Sequence, residues 1–178
     1  MKKSILFLSV IAMTTGSFAQ KKISTSAKVS FDATTSLDAL PKADNKTVVA
    51  SIDTKTGAVA FEALVKSFDF NNPMMQEHFN SPKWLDSEQF PSTTFKGKIT
   101  NLSDVNFNKD GLYKVSVDGK LTLHGVTNDL KTSGIVEVKG KLVNAKAEFT
   151  FKLADYKVGN AGGKVASEPK ITVDAELK

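Results

Sequence analysis

Residues 144–153 read NAKAEFTFKL, and apolar and polar side chains alternate along most of this stretch. The apolar set is Ala145, Ala147, Phe149, Phe151 and Leu153, and the residues between them are lysine, glutamate and threonine. Successive side chains of a β-strand point to opposite faces of the sheet. The pattern therefore predicts a strand with one buried face.

The same alternation recurs along the chain. It is clear at 113–123 (YKVSVDGKLTL) and at 171–177 (ITVDAEL). Further runs lie at 24–31, 46–53, 58–66, 94–101 and 130–139. About eight strands in one chain predict an all-β, antiparallel sheet that closes into a barrel to hide its edges.

The predicted inward face combines small residues with large aromatic ones and carries no charge. The small residues are Ala50, Ala63, Gly97, Gly119, Ala145, Ala147 and Ala175. An eight-stranded barrel is just wide enough to be filled by side chains or to hold one small ligand. Two interpretations stay open at this point: tight packing against bulky neighbours, or an apolar lumen for an apolar guest.

One segment, 67–92, interrupts the strands and is rich in aromatic residues and methionine. Asn72 and Pro73 are suited to begin a short helix, which places Met75 and Phe79 on one face. Prolines within the segment predict that it stays out of the sheet. Its apolar side chains, Trp84 among them, predict either a plug that completes the core at one end of the barrel or a lid through which a lipid enters.

The first residues, MKKSILFLSVIAMTTGSFAQ, have a basic start, a short apolar run and a small-x-small ending. They predict a signal peptide, 1–19, cut after Ala19. Residues 20–178 are then one domain outside the cytoplasm, periplasmic or secreted. No later stretch approaches the about 20 apolar residues of a membrane span, so no transmembrane segment is expected.

Composition argues against several chemistries. The chain has no cysteine and no arginine, and removing Lys2 and Lys3 with the signal peptide lowers the net charge from +5 to +3. No basic cluster interleaved with aromatics indicates nucleic-acid binding. The two histidines, His78 and His124, do not form a zinc motif, and no catalytic constellation emerges. Alternation places His124 on the outer face at a strand end, as a corner residue whose hydrogen bonds fix a turn.

Two stretches carry a family resemblance. SEQFPSTTFKGKI (87–99) and YKVSVDGKLTLHGVTNDL (113–130) resemble the signature stretches of the YceI-like family of exported lipid-binding or polyisoprenoid-binding proteins. The matching positions run from Phe90, Pro91 and Phe95 to the segment from Gly119 to Thr127. Two departures from the family pattern, in 28–40 and in 151–159, remove polar groups that could contact a ligand headgroup, so the guest's identity is not carried over.

This resemblance implies a lipocalin-like eight-stranded barrel that is not an enzyme. Its only cofactor-like component would be a bound isoprenoid or fatty acyl lipid, such as an isoprenoid quinone or a polyprenyl chain. The residues expected to bind the ligand are Phe61, Phe95, Tyr113, Val115, Val117, Leu121, Phe149 and Phe151 in the lumen wall, with Met75, Phe79 and Trp84 in the lid. The alternative is a ligand-free barrel acting as a stress-response or protein-interaction module. A homodimer through an exposed last strand is left open.

Overall fold

A closed antiparallel sheet dominates the fold in a computed structural model that describes residues 21–159 and 163–178. The strands in this part of the chain are β1 (Lys21–Asp32), β2 (Lys42–Asp53), β3 (Ala58–Leu64), β4 (Asp69–Phe70), β5 (Ser92–Ile99), β6 (Gly111–Leu123), β7 (Val126–Lys139), β8 (Leu142–Thr150) and β9 (Lys170–Leu177). The described residues also form one α-helix, α1, which spans Pro73–Asn80.

Eight of these strands form the barrel in the order β1-β9-β8-β7-β6-β5-β3-β2, and pairing of β1 with β2 closes the ring. All pairings are antiparallel, which confirms the eight-stranded antiparallel barrel predicted from alternation. A homodimer, which the sequence left open, is not shown, and the last strand is not the exposed edge that such a dimer would use. Because β9 pairs with both β8 and β1, it is not an exposed edge.

Several strands extend beyond the predicted limits, β2 and β7 furthest, and one short strand was not predicted. β2 begins at Lys42, and β7 begins at Val126 because a tight turn lets it pair with β6 along its whole length. The two-residue β4 pairs with Ala43 and Asp44 of β2, although it lies in the segment expected to stay out of the sheet. The prolines of that segment start only at Pro73, so they do not prevent this pairing.

The turn between β6 and β7 consists of His124 and Gly125, with φ of 50° and 71°. Positive φ at both central residues is the geometry of a type I′ turn, whose twist matches that of the flanking strands. Phe90 packs against this turn, with its ring edge-on to the His124 ring at a centroid distance of 5.0 Å. His124 therefore occupies the corner position that alternation predicted.

Helix α1 begins as its sequence predicts. The Asn72 side chain accepts hydrogen bonds from the backbone N–H groups of Met74 and Met75, and Pro73 is the first helical residue. The cap satisfies donors that have no partner within the helix. It also fixes the direction in which Phe79 enters the core.

The two ends of the barrel differ. At the far end, the strands are joined by the β2–β3 and β7–β8 turns and by the connection 100–110. Several fully buried aliphatic side chains lie close to this end: Ile52, Ile99, Val138, Val143 and Leu177. The connections from β1 to β2, β3 to β5, β6 to β7 and β8 to β9 meet at the other end, here called the lid end. The far end is thus sealed by packed side chains, whereas the β3–β5 connection, which carries α1, covers the lid end.

Across the two described ranges, no helix combines the length and the apolar character that crossing a membrane requires.

Gly125→Ala tests the corner. A Cβ on Gly125 would lie 2.5 Å from the Phe90 ring, whereas a Cβ on Gly140, also at positive φ, would have no atom within 4 Å. We expect Gly140→Ala to lose about 1 kcal/mol of unfolding free energy from the left-handed backbone alone. Gly125→Ala should lose a further ~1–3 kcal/mol from overpacking, measured by urea denaturation. Equal losses in the two variants would contradict the role assigned to Phe90.

Candidate ligand-binding site

The barrel encloses an apolar cavity of about 160 Å³, here called the lumen cavity. Its floor is formed by aliphatic side chains above the sealed far end, including Ile52 and Ile99. Phe61 and Leu121 belong to its wall, and Phe79 lies over it at the lid end. A space with such walls favours apolar groups, because water inside it would find few hydrogen-bond partners.

Nine of the eleven residues predicted to bind a ligand line this cavity. They are Phe61, Phe79, Trp84, Phe95, Val115, Val117, Leu121, Phe149 and Phe151. Met75 lines a second cavity at the lid end instead. Tyr113 is near the far end, where its hydroxyl donates to the carbonyl oxygen of Lys109 at 2.9 Å, and it is not part of the lumen cavity's wall.

Some of the small inward residues are covered by an aromatic ring. Gly97 and Gly119 lie directly opposite each other on β5 and β6. A Cβ on Gly119 would lie 2.5 Å from the Phe95 ring, and one on Gly97 would lie 2.8 Å from it. The ring therefore packs over the bare backbone of both glycines, and here the barrel is filled.

Other small inward residues leave space open. Gly134 on β7 lies opposite Ala147 on β8, and Ala145 follows two positions along the same face; we call these three the small-residue patch. All three line the lumen cavity. Lys146 also borders it, although its side chain is exposed and pairs with Asp174 at 3.3 Å. Since that side chain is directed away, the cavity reaches the main chain between the small residues.

Beyond this patch, the barrel wall is completed by a helical turn and not by strand pairing. The register between β7 and β8 ends at Gly134 and Ala147, although both strands continue towards the lid end. A 3₁₀ turn, Leu153–Tyr156, lies beside β7 there. The Asn128 side-chain amide donates to the Asp155 carbonyl at 2.8 Å. These contacts tie the turn to β7 where the ladder stops.

His124 belongs to the same seam. Its Nδ1 lies 3.2 Å from the carbonyl oxygen of Tyr156, and the Tyr156 ring packs edge-on against Phe151. Burial raises the pKa of the Tyr156 phenol, and the nearby Asp155 carboxylate adds to the rise. The histidine thus ties the β6–β7 corner to the turn that follows β8, as expected of a structural corner residue.

Aromatic rings close the lid end around Phe79. The Phe79 ring has centroid distances of 4.8 Å to Phe70, 5.6 Å to Phe31, 5.6 Å to Phe68 and 6.4 Å to Trp84. Such pairs contribute about 0.5–1.5 kcal/mol each beyond the area they bury. These five rings, here called the lid cluster, cover the lumen cavity, and Phe79 itself is only 5% exposed.

The lumen cavity has further lining residues that were not predicted as binding residues. They include Val29, Phe31, Leu130, Ile171 and Val173, together with Thr93 and Thr132. Alternation in 171–177 already carried the signal for Ile171 and Val173. Alternation did not predict the inward position of Val29, because the register of β1 against β2 shifts twice before this residue.

The lining contains few groups able to hold a charged cofactor or metal ion. Over the described parts of the chain, no group of three or more His, Cys, Asp or Glu side chains is placed to bind a metal ion. Thr93 is engaged with the main chain, where its hydroxyl donates to the Thr122 carbonyl at 2.8 Å.

Comparison with known proteins shows the family of this barrel. The YceI-like domain family matches residues 8–177. The chain belongs to the YceI-like domain family. A search of curated protein sequences returned no match.

Solved structures share the YceI-like fold at low identity. A polyisoprenoid binding domain from Saccharophagus degradans, implicated in plant cell wall breakdown, is 12% identical, with a TM-score of 0.74 over 89% of this chain and 98% of that one. BcnA of Burkholderia cenocepacia is 20% identical, with a TM-score of 0.69 over 85% and 96%. A YceI protein of Campylobacter jejuni is 17% identical, with a TM-score of 0.57 over 72% and 78%. At these identities the likeness shows the fold, a lipocalin-like barrel.

Replacement of two inward-facing alanines of this YceI-like barrel by leucine tests where the interior is empty. Ala147 lines the lumen cavity, whereas Ala175 faces inward on β9, is 0% exposed and is not in the cavity wall. We expect Ala147→Leu to change the unfolding free energy by less than about 1 kcal/mol, because the added carbons occupy existing space. Ala175→Leu should lose about 1–3 kcal/mol through overpacking. Thermal or urea denaturation measures both. Equal destabilisation would show that the small-residue patch is already filled.

Proposed function

We propose that this protein binds one long-chain apolar ligand of the isoprenoid or fatty acyl type inside its barrel and carries or sequesters it outside the cytoplasm. The observation that carries this proposal is the lumen cavity, whose almost wholly apolar lining opens onto the small-residue patch. Membership of the YceI-like family and the polyisoprenoid-binding description of the Saccharophagus degradans domain support the ligand class.

Burial of the chain supplies the driving force. Each methylene group moved from water into an apolar environment contributes about 0.8 kcal/mol. The aliphatic floor and the aromatic wall offer no competing charge. A carrier of this kind needs no reacting group, and His124 is engaged in holding a corner of the fold.

The size of the lumen cavity limits how such a ligand is accommodated. An apolar cavity of about 150 Å³ admits benzene or xenon. The lumen cavity, at about 160 Å³, therefore holds one ring or a short length of chain without rearrangement. A longer chain requires neighbouring side chains to move, and the lid cluster, held by ring contacts, is the part we propose to move.

The location of the protein follows from its first residues. We propose that residues 1–19 direct export and are removed after Ala19, which places the barrel in the periplasm or outside the cell. These residues lie outside the part of the chain that the structure describes.

Organic extraction of protein purified from its native host, followed by mass spectrometry, tests the binding function. We expect an isoprenoid or fatty acyl lipid at close to one molecule per chain. Titration of delipidated protein with quinones and fatty acids should change the fluorescence of Trp84, the single tryptophan, which lines the lumen cavity.

A matched pair of variants on β8 places that binding in the lumen. Ala147→Phe should weaken the affinity for the titrated ligand by at least about ten-fold, because the new ring occupies the space of the ligand. Glu148→Ala, one residue further and in an exposed ion pair with Lys170, should bind like the wild type. No extracted lipid together with an unchanged Trp84 signal, or equal binding by both variants, would count against the proposal.

A further inference from the structure

A second cavity of about 150 Å³ lies at the lid end and is here called the outer cavity. Phe31, Phe79 and Trp84 line both the outer cavity and the lumen cavity. These three side chains are therefore the partition between the two spaces. They meet through ring contacts, with centroid distances of 5.6 Å from Phe31 to Phe79 and 6.4 Å from Phe79 to Trp84.

The outer cavity differs from the lumen cavity in its chemistry. Asp38, His78 and Lys164 contribute to its lining, whereas the lumen cavity has no such set. The Asp38 carboxylate already accepts a hydrogen bond from the Leu40 N–H at 2.8 Å. A carboxylate has further acceptor sites, so it can accept from a ligand as well. Lys164 supplies donors only, and the His78 imidazole can donate or accept.

We propose that the outer cavity receives the polar headgroup of a single-chain amphiphile whose chain passes the partition into the lumen cavity, and that this headgroup has no net charge. The proposal rests on the binding function proposed above and specifies the class of its ligand. The partition explains how a chain too long for the lumen cavity is accommodated, since displacement of its rings joins two spaces of similar size.

The charges of the outer cavity carry the argument for an uncharged headgroup. An anionic headgroup would be attracted by Lys164 but repelled by Asp38. A cationic headgroup would be attracted by Asp38 but repelled by Lys164. A hydroxyl, amide or carbonyl headgroup meets donors and acceptors without that repulsion. Phe70, Phe79 and Trp84 in the same lining favour a headgroup that also has apolar surface.

Three amphiphiles with the same chain and different headgroups test this inference: dodecanol, dodecanoate and dodecyltrimethylammonium. Each is titrated into the delipidated full-length mature protein, with Trp84 fluorescence and calorimetry as readouts. We expect dodecanol to bind the wild type most tightly. Because the charged groups are partly exposed, we expect a margin of about three- to five-fold over each charged analogue.

Two single-charge variants should shift this preference in opposite directions. Lys164→Met should strengthen binding of dodecyltrimethylammonium and weaken that of dodecanoate, each by about three- to five-fold. Asp38→Asn should do the reverse. Lys141→Met, a change of the same type in the turn between β7 and β8 at the far end, should leave the order of the three ligands unchanged.

The outcomes separate this inference from the binding function. If Ala147→Phe weakens all three amphiphiles while Lys164→Met and Asp38→Asn leave their order unchanged, the headgroup assignment is overturned and lumen binding stands. If the wild type binds none of the three and yields no lipid on extraction, both proposals fail. Opposite shifts in the two variants support the assignment.

Discussion

Closure of the sheet, through the pairing of β1 with β2, is the constraint on which the rest of the structure depends. With an edge left open, the eight strands would expose unpaired backbone groups and no enclosed interior would exist. Once closed, a barrel of eight strands has an interior of nearly fixed width. What fills that interior is then decided by the side chains that alternation turns inward.

The inward side chains divide the interior into two parts. Aliphatic residues such as Ile99 and Leu177 seal the far end, and Phe95 covers the glycine pair of β5 and β6. The small-residue patch on β7 and β8 lines the remaining space, and the atoms nearest a Cβ on Gly134 belong to Lys146 and Ala147 and not to a ring. The lid cluster, centred on Phe79, then separates this space from the outer cavity. The same five rings thus fit both interpretations of this end of the barrel: a plug that completes the core, and a lid over the lumen cavity.

Alternation was enough to predict the barrel and most of the cavity wall, because inward position follows from a two-residue period. The cap at Asn72 and the corner at His124 were also readable, since each depends on a few neighbouring residues. Distances across the barrel could not be predicted from the sequence. That the Phe95 ring covers Gly97 and Gly119 while Ala147 borders open space depends on strand register and ring orientation, which alternation does not give. Tyr113 faces inward by its position, but a loop carbonyl holds its hydroxyl near the far end.

A crystal structure determined under xenon pressure tests most directly whether an empty apolar space lies against the small-residue patch. Xenon occupies dry apolar cavities of this size without requiring any side chain to move. We predict a xenon site within the lumen cavity, in contact with Gly134, Ala145 and Ala147. Large side chains packed over these three residues, with no xenon bound inside the barrel, would contradict the account.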